Sequence, residues 1–258
     1  MHSIKKLSRS RVVRGAVLPA LLLALWEWVA HRDPAHRYAF EPLEHIASAA
    51  LEVIRTGELP VNLGASLWRT TIGLVTGIAA GIVVGTSMAL SQVVRRGVEP
   101  LFQAIRHVPL LGLIPLLSLW CGTGEFAKTF VVFLAAFYPM VTSSYDGIRS
   151  IDARYFELAD SYRLTRLERL RDVLLPGALP GLSAGVLQAL PMTWITATSS
   201  ELLFNAGAGI GSLMQTAQAG ARVDVLLVCV ASVTALAAAT GLLAENLSRR
   251  MLRWRVAA

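Results

Sequence analysis

Few side chains in this 258-residue sequence are of types that do chemistry, and their settings argue against most of it. Gly181-Leu182-Ser183-Ala184-Gly185 has the G-x-S-x-G form of a nucleophile elbow. That motif works at a strand-to-helix turn, with a histidine and an acid to activate the serine. Here it opens an apolar run, and no histidine follows it in the chain. Small residues packing at a helix end is the role this setting supports. His2, His31, His36 and His45 fall outside the apolar runs, which weakens any metal site or proton relay within them. Cys121 and Cys229 lie far apart in apolar sequence and read as small core hydrophobes, not as a disulfide or metal pair. The phosphate-cradling pattern G-x-x-x-x-G-K-[ST] is absent, so any dependence on ATP must come from a partner.

Two polar groups remain. Gln188, Met192, Thr196 and Ser199 fall on one helical face, with Thr193 and Ser200 beside it and Glu201 ending the same run. The stripe lines a conduit, or its hydroxyls bond back to their own helix carbonyls. Glu201 either snorkels to an interface or lines a gate, since acids within apolar spans tend to be functional. The second group is the stretch ELADSYRLTRLERLRDVLLPGALP, Glu157 to Pro180, with six charged side chains between Arg163 and Asp172. Tyr155, Phe156, Ala159 and Tyr162 mark a partly apolar stripe there. Asp160 with Arg163, and Glu168 with Arg171, are spaced to pair on a helix.

The elements that must position these groups follow from composition. The chain is 54% hydrophobic and 16% charged, with mean hydropathy +0.55. A soluble domain carries about 25% charged residues. The apolar residues are concentrated in runs near the ~20 residues a bilayer core requires. The net charge of +7 comes with no zinc spacing, RNA-binding signature or basic stripe, so nucleic acid is excluded as a partner. Spans are expected at 15–30, 67–91, 98–121, 126–147, 178–204 and 223–247, giving an all-α, six-span bundle. A basic tail, 1–14, precedes a single membrane domain, 15–258. The first run ends in Trp26, Glu27 and Trp28 without a small-x-small site, which reads as an uncleaved anchor with Glu27 at the outer interface. Leu43, Ile46, Ala47, Ala50, Leu51 and Ile54 recur at helical spacing between Pro42 and Gly57, as in a surface amphipathic helix. Gly73, Gly77, Gly81 and Gly85 line one face of the second span, where another backbone can approach closely. Pro109 and Pro115 interrupt the third span, Pro139 the fourth and Pro191 the fifth.

With the amino terminus inside, the inner segments hold eighteen Lys and Arg against six outside (Arg32, Arg37, Arg55, Arg69, Lys128, Arg222). This positive-inside bias places both termini and residues 149–177 in the cytoplasm.

The cytoplasmic segment carries a recognisable spacing. Glu157-Leu158-Ala159, three residues, Arg163, nine residues, then Val173-Leu174-Leu175-Pro176 resembles the E-A-A, three, G, nine, I-x-L-P loop of permease subunits in binding-protein-dependent ABC importers. HVPLLGLIPLLSLWCGTGEFAK (107–128), YDGIRSIDARYFELADSYRL (145–164), VLLPGALPGLSAGV (173–186) and GAGIGSLMQTA (207–217) are similar to the sulfonate, taurine and nitrate permease group. The resemblance implies a type I importer permease (MetI-like) fold in the bacterial inner membrane and a second permease copy. It also implies cytoplasmic ATPase subunits that hold the ATP and magnesium, and a periplasmic or lipid-anchored solute-binding protein. The function implied is ATP-driven import of a small, anionic solute, with no catalytic residue on this chain. An ATPase-independent channel or secondary transporter is the alternative. On the resemblance, Glu157, Leu158, Ala159, Tyr162, Arg163, Leu164 and Pro176 form the coupling contact with the ATPase. Ala159 matches the small residue that allows close approach. Glu157 caps the helix or meets a basic group, and Pro176 fits the passage into the fifth span. Arg163 stands where the family has glycine, so the turn either uses negative φ or reshapes the contact.

Overall fold

A computed structural model describes residues 2–32, 40–204 and 207–253, with side chains described from Val17 onward. His36, Arg37 and Arg255, and the side chains of His2, Lys5, Lys6, Arg9, Arg11 and Arg14, lie outside the described residues. All the described regular structure is helical. In chain order the helices are α1 (His2–Arg32), α2 (Leu43–Arg55), α3 (Glu58–Leu90), α4 (Gln92–Arg106), α5 (Leu110–Cys121), α6 (Glu125–Arg149), α7 (Ala153–Ser161), α8 (Arg166–Arg169), α9 (Leu175–Phe204), α10 (Ile210–Ala219) and α11 (Val223–Met251). A π-helical turn, Leu170–Leu174, joins α8 to α9.

Among the described residues, four stretches are long and apolar enough to cross a membrane: α3, α6, α8 through α9, and α11. The pair α4 and α5 qualifies as a fifth if taken together, but it bends by 100°. Pro109 is the cause, because a residue before proline is pushed out of the helical region and proline has no N–H to donate. The expected span 98–121 is therefore two helices at a sharp angle, and Pro115 sits inside α5 without breaking it. α1 carries the remaining expected run.

The bundle is built on α6, which lies between α3 and α9. On one side the glycine ladder does what its spacing predicts. A Cβ at Gly77 would fall 2.5 Å from the Phe133 carbonyl oxygen, and one at Gly81 would fall 2.6 Å from Met140 Cβ. On the other side Gly181 faces Gly147, where a Cβ would fall 2.6 Å from the Gly147 Cα, and Gly185 meets Ser143. The G-x-S-x-G sequence is thus a helix-packing surface, and Ser183 donates to the Pro180 carbonyl of its own helix. With no hydrophobic drive between helices in lipid, such close backbone approach is a main source of association.

α3 begins at Glu58, nine residues before the expected start at Leu67. The extra turns carry Asn62 and Ser66, and Arg69 follows just inside the expected span; all three lower the hydropathy of the sequence. All three are satisfied by partners inside the protein, so the helix extends through them. α2 has the expected extent, and its Ala49 and Val53 pack into an apolar cluster with Ile210, Val225 and Val228. Its amino terminus has Pro42 at the cap position and no capping side chain of its own. Glu27 supplies that function from α1, accepting the Leu43 N–H at 3.0 Å.

Candidate functional site

The charged segment folds as two short helices around a left-handed turn. Asp152 caps α7 by accepting the Arg154 N–H at 3.0 Å, so the cap is Asp152 and not Glu157. At the far end the Leu164 N–H reaches the Ala159 carbonyl and the Arg163 N–H reaches Asp160, a Schellman closure. Arg163 occupies the left-handed position of that motif with φ of 52°. The turn therefore keeps the positive φ that a glycine would favour, and the expected negative φ is not used. An L-residue there costs roughly 1–2 kcal/mol.

α8 starts with a capping box. Thr165 Oγ1 accepts from Glu168 N, and the Glu168 carboxylate accepts from both the Thr165 N–H and its hydroxyl. These bonds, the Thr165 backbone first, hold the Glu168 carboxyl below its ordinary value. Glu168 is thereby occupied and does not pair with Arg171. Asp160 pairs with Arg169, tying α7 to α8, and not with Arg163. The π turn lies just before Pro176, whose missing N–H and ring disturb the α-helical ladder there. Through this wider turn the segment runs from Arg166 into the span as a nearly continuous rod.

The apolar stripe divides. Phe156 and Ala159 turn inward, Ala159 being 1% exposed within this chain. Its small size serves packing of the segment itself. Tyr155, Leu158 and Tyr162 share the opposite edge and are 60%, 52% and 77% exposed. Leu167 of α8 is also exposed, as are Glu157 and Arg163, and Leu164 is partly so. A rigid, capped helix pair presenting large apolar side chains to water is a surface made for a partner.

At the other end of α9 lies a cluster that sequence reading treated as separate, exposed charges. Arg69 and Lys128 were expected in outer segments and Glu201 at the interface or a gate. All three are buried, at 1%, 0% and 0% exposed. Glu201 accepts from Ser66 Oγ at 2.7 and 2.8 Å and from the Gly211 N–H at 2.9 Å, and it pairs with Arg69. Arg69 also donates to Glu125 through Nε (2.9 Å) and Nη2 (2.7 Å), and to the Ala208 carbonyl at 3.0 Å. Lys128 Nζ lies 3.9 Å from Glu125. Asn62 accepts from Gly209 N, and Ser66 accepts from Ile210 N. The loop before α10 is glycine-rich because Glu201 fills the space beside it: a Cβ at Gly209 would fall 2.6 Å from Glu201 Cδ. Removing one partner of a buried ion pair costs about 3–5 kcal/mol, so this cluster fixes α3, α6 and α9 to the loop. The only available sequence sign was that Arg69 and Lys128 each interrupt or adjoin an apolar run.

The polar stripe of α9 also divides. Gln188 and Met192 are exposed and Ser199 is partly so, whereas Thr196 is buried with Thr193 and Ser200. Thr193 and Ser200 donate to carbonyls of their own helix. Ser199 borders an apolar groove of about 700 Å³ between α9 and α11, with Pro191, Trp194, Met214 and Val233. Among the described residues no group of His, Cys, Asp and Glu is arranged to hold a metal ion.

Residues 77–253 match the family model described as binding-protein-dependent transport system inner membrane component. The chain is 34% identical over 237 residues to the putative aliphatic sulfonates transport permease protein SsuC of Escherichia coli K12, covering 92% of this chain and 90% of the relative. It is 31% identical over 240 residues to the taurine transport system permease protein TauC of the same organism, covering 91% and 87%. Its fold matches a chain of the inward-facing MetNI methionine ABC transporter with TM-score 0.60 at 20% identity, over 72% of this chain and 93% of that one.

Proposed function

Because this chain belongs to the family of binding-protein-dependent transport system inner membrane components, we propose that it is the force-receiving half of a solute importer, driven through the α7–α8 edge. It is a multi-pass inner-membrane permease subunit of an ABC importer and not an enzyme; ATP hydrolysis belongs to a separate subunit, and a binding protein delivers solute.

The observation that carries the proposal is the exposed row Tyr155, Leu158 and Tyr162 on α7, which is capped at both ends and tied by the Asp160–Arg169 pair to α8, itself continuous with α9. An ATPase groove that receives this row moves α9 directly, since α8, the π turn and α9 form one rod. Glu157, Arg163 and Leu164 border the contact. Ala159 and Pro176 act from within, by packing and by setting the helix path. Arg163 in place of glycine adds a charge at the edge of the contact, so the partner groove is expected to offer an acid there. Two copies of this chain enclose the pathway, with Gln188, Met192 and Ser199 facing it and Thr196 and Glu201 behind. Both termini lie in the cytoplasm, a reading supported by the distribution of Lys and Arg. The solute is small and anionic, an aliphatic sulfonate, taurine or nitrate. Support comes from the two relatives, which are named for sulfonate and taurine transport.

The test is co-purification with the cognate ATPase. Leu158→Arg places a charge on the exposed row without touching the packed side of α7, so the permease should remain folded and lose the ATPase. Retention of the ATPase by Leu158→Arg, or solute flux through the purified chain alone, would refute the coupling.

A further inference from the structure

We propose that the seam between α4 and α6 holds the phosphate of an anionic phospholipid, gripped by Arg95 and Arg149 beside the Tyr145 hydroxyl. This goes beyond the importer reading. It needs a bilayer, but neither a motor nor a particular orientation of the chain.

α4 is built to lie at a bilayer surface. It carries Arg95, Arg96, Glu99 and Arg106, whereas α5 carries no charge. The two helices meet at a 100° bend, so with α5 entering the apolar core α4 runs close to the membrane plane. Val94, Val98, Leu101, Phe102 and Ile105 share one face of α4. Phe102 packs with Val141 of α6, and Val98 and Tyr145 adjoin them. Leu101 and Ile105 stay 62% and 41% exposed. A short helix with basic side chains beside an open apolar face beds in the headgroup boundary, its apolar side among acyl chains.

The seam gathers guanidinium groups. Thr142, Tyr145 and Arg149 follow one another along one face of α6. Tyr145 Oη accepts from Arg149 Nη1 at 2.7 Å and from Arg95 Nη1 at 3.4 Å. The Arg149 guanidinium also stands over the Tyr145 ring, 5.5 Å from its centre. Farther along, Arg106 Nη1 donates to Thr142 Oγ1 at 3.2 Å. Two cations thus converge on one neutral oxygen, with most of their five N–H donors unspent. The planar fork of each matches a pair of phosphate oxygens.

Charge selects the class of lipid. Among the described residues, the arginines paired with carboxylates are Arg69, Arg169, Arg171, Arg222 and Arg249. Arg95, Arg106 and Arg149 are not among them. Glu99, one turn from Arg95, acts on it without forming an ion pair. A zwitterionic headgroup would bring its ammonium toward these cations, so a phospholipid of net negative charge is preferred. A soluble anion engages the forks alone, whereas a lipid also covers the open apolar side of α4. Such a lipid ties α4 to the end of α6 from which the chain passes into α7.

The test is native mass spectrometry of the full chain with its co-purifying partners, delipidated and titrated with phosphatidylglycerol or phosphatidylcholine of the same acyl chains. An arginine at an anionic surface is worth about fivefold in binding, so Arg95 and Arg149 together should contribute about 25-fold to the preference for phosphatidylglycerol. Arg95→Gln combined with Arg149→Gln should lower the preference by that factor. Arg96→Gln removes the same charge from the next position, which is exposed and makes no hydrogen bond to α6, and should leave the preference within about twofold. Arg95→Lys combined with Arg149→Lys keeps both charges, removes both forks, and should fall between native and the glutamine pair. Equal binding of the two lipids by the native chain overturns the proposal without recourse to any variant. An equal loss in Arg96→Gln overturns the site in favour of diffuse charge, and a lysine pair indistinguishable from native overturns the forked grip. Displacement of bound phosphatidylglycerol by excess inorganic phosphate overturns a lipid as the occupant.

Discussion

At the residue scale, Arg163 is the position where local chemistry and backbone conformation disagree. Its φ of 52° closes α7 through the Leu164 and Arg163 N–H bonds, and glycine would adopt that φ without strain. Arg163→Gly should stabilise the α7–α8 turn by up to about 1 kcal/mol, the left-handed cost relieved less the entropy that glycine adds to the unfolded chain. Hydrogen exchange at the Arg163 and Leu164 amides should slow accordingly. Faster exchange would mean that the arginine side chain, through a contact other than the turn, holds the segment. Glu201 shows the opposite relation. In sequence it resembles an acid stranded at a helix end, yet all its bonding capacity is used inside the fold.

At the element scale, α6 is the strut against which α3 and α9 are set, and the closeness of those contacts divides the glycines into two kinds. Gly77→Ala would push a methyl group to 2.5 Å from the Phe133 carbonyl oxygen, a backbone atom with no freedom to move aside. Overpacking of this sort costs about 1–3 kcal/mol. Gly97, in α4, has nothing within 4 Å of its Cβ position. Gly97→Ala should instead gain up to about 1 kcal/mol from helix propensity. Thermal unfolding of the two variants in detergent should move in opposite directions; a matched fall would mean that α4 is covered at Gly97 in the assembled protein. The bend between α4 and α5 was half visible in advance. Pro109 and Pro115 are equivalent as sequence, but only Pro109 falls where α4 had already ended at Arg106.

At the scale of the whole molecule, two regions of polar chemistry sit at opposite ends of α9. The α7–α8 pair leads into its beginning, and the Arg69–Glu201 cluster holds its last turn. A displacement at the first is delivered to the second by a helix that touches α6 through Gly181 and Gly185. This arrangement requires the α8 end to face the ATPase compartment. A single cysteine introduced by Arg166→Cys should react with a membrane-impermeant maleimide only after cells are opened. Labelling of intact cells at that position would invert the topology and leave the exposed row without a motor.

The amino-acid sequence by itself determined that the chain is helical and membrane-spanning, that α3 presents a small-residue face, and that residues 149–177 form a charged helical segment outside the apolar runs. These are properties of composition and period, which neighbouring residues carry together. Only the tertiary structure decided which polar groups are partnered. Ser66, Arg69, Glu125, Lys128 and Glu201 lie as many as 135 residues apart and meet because α3, α6 and α9 pack side by side. The same holds for Ala159 turning inward while Leu158 turns out. Burial is a property of what packs against a side chain, and a local spacing rule has no access to it.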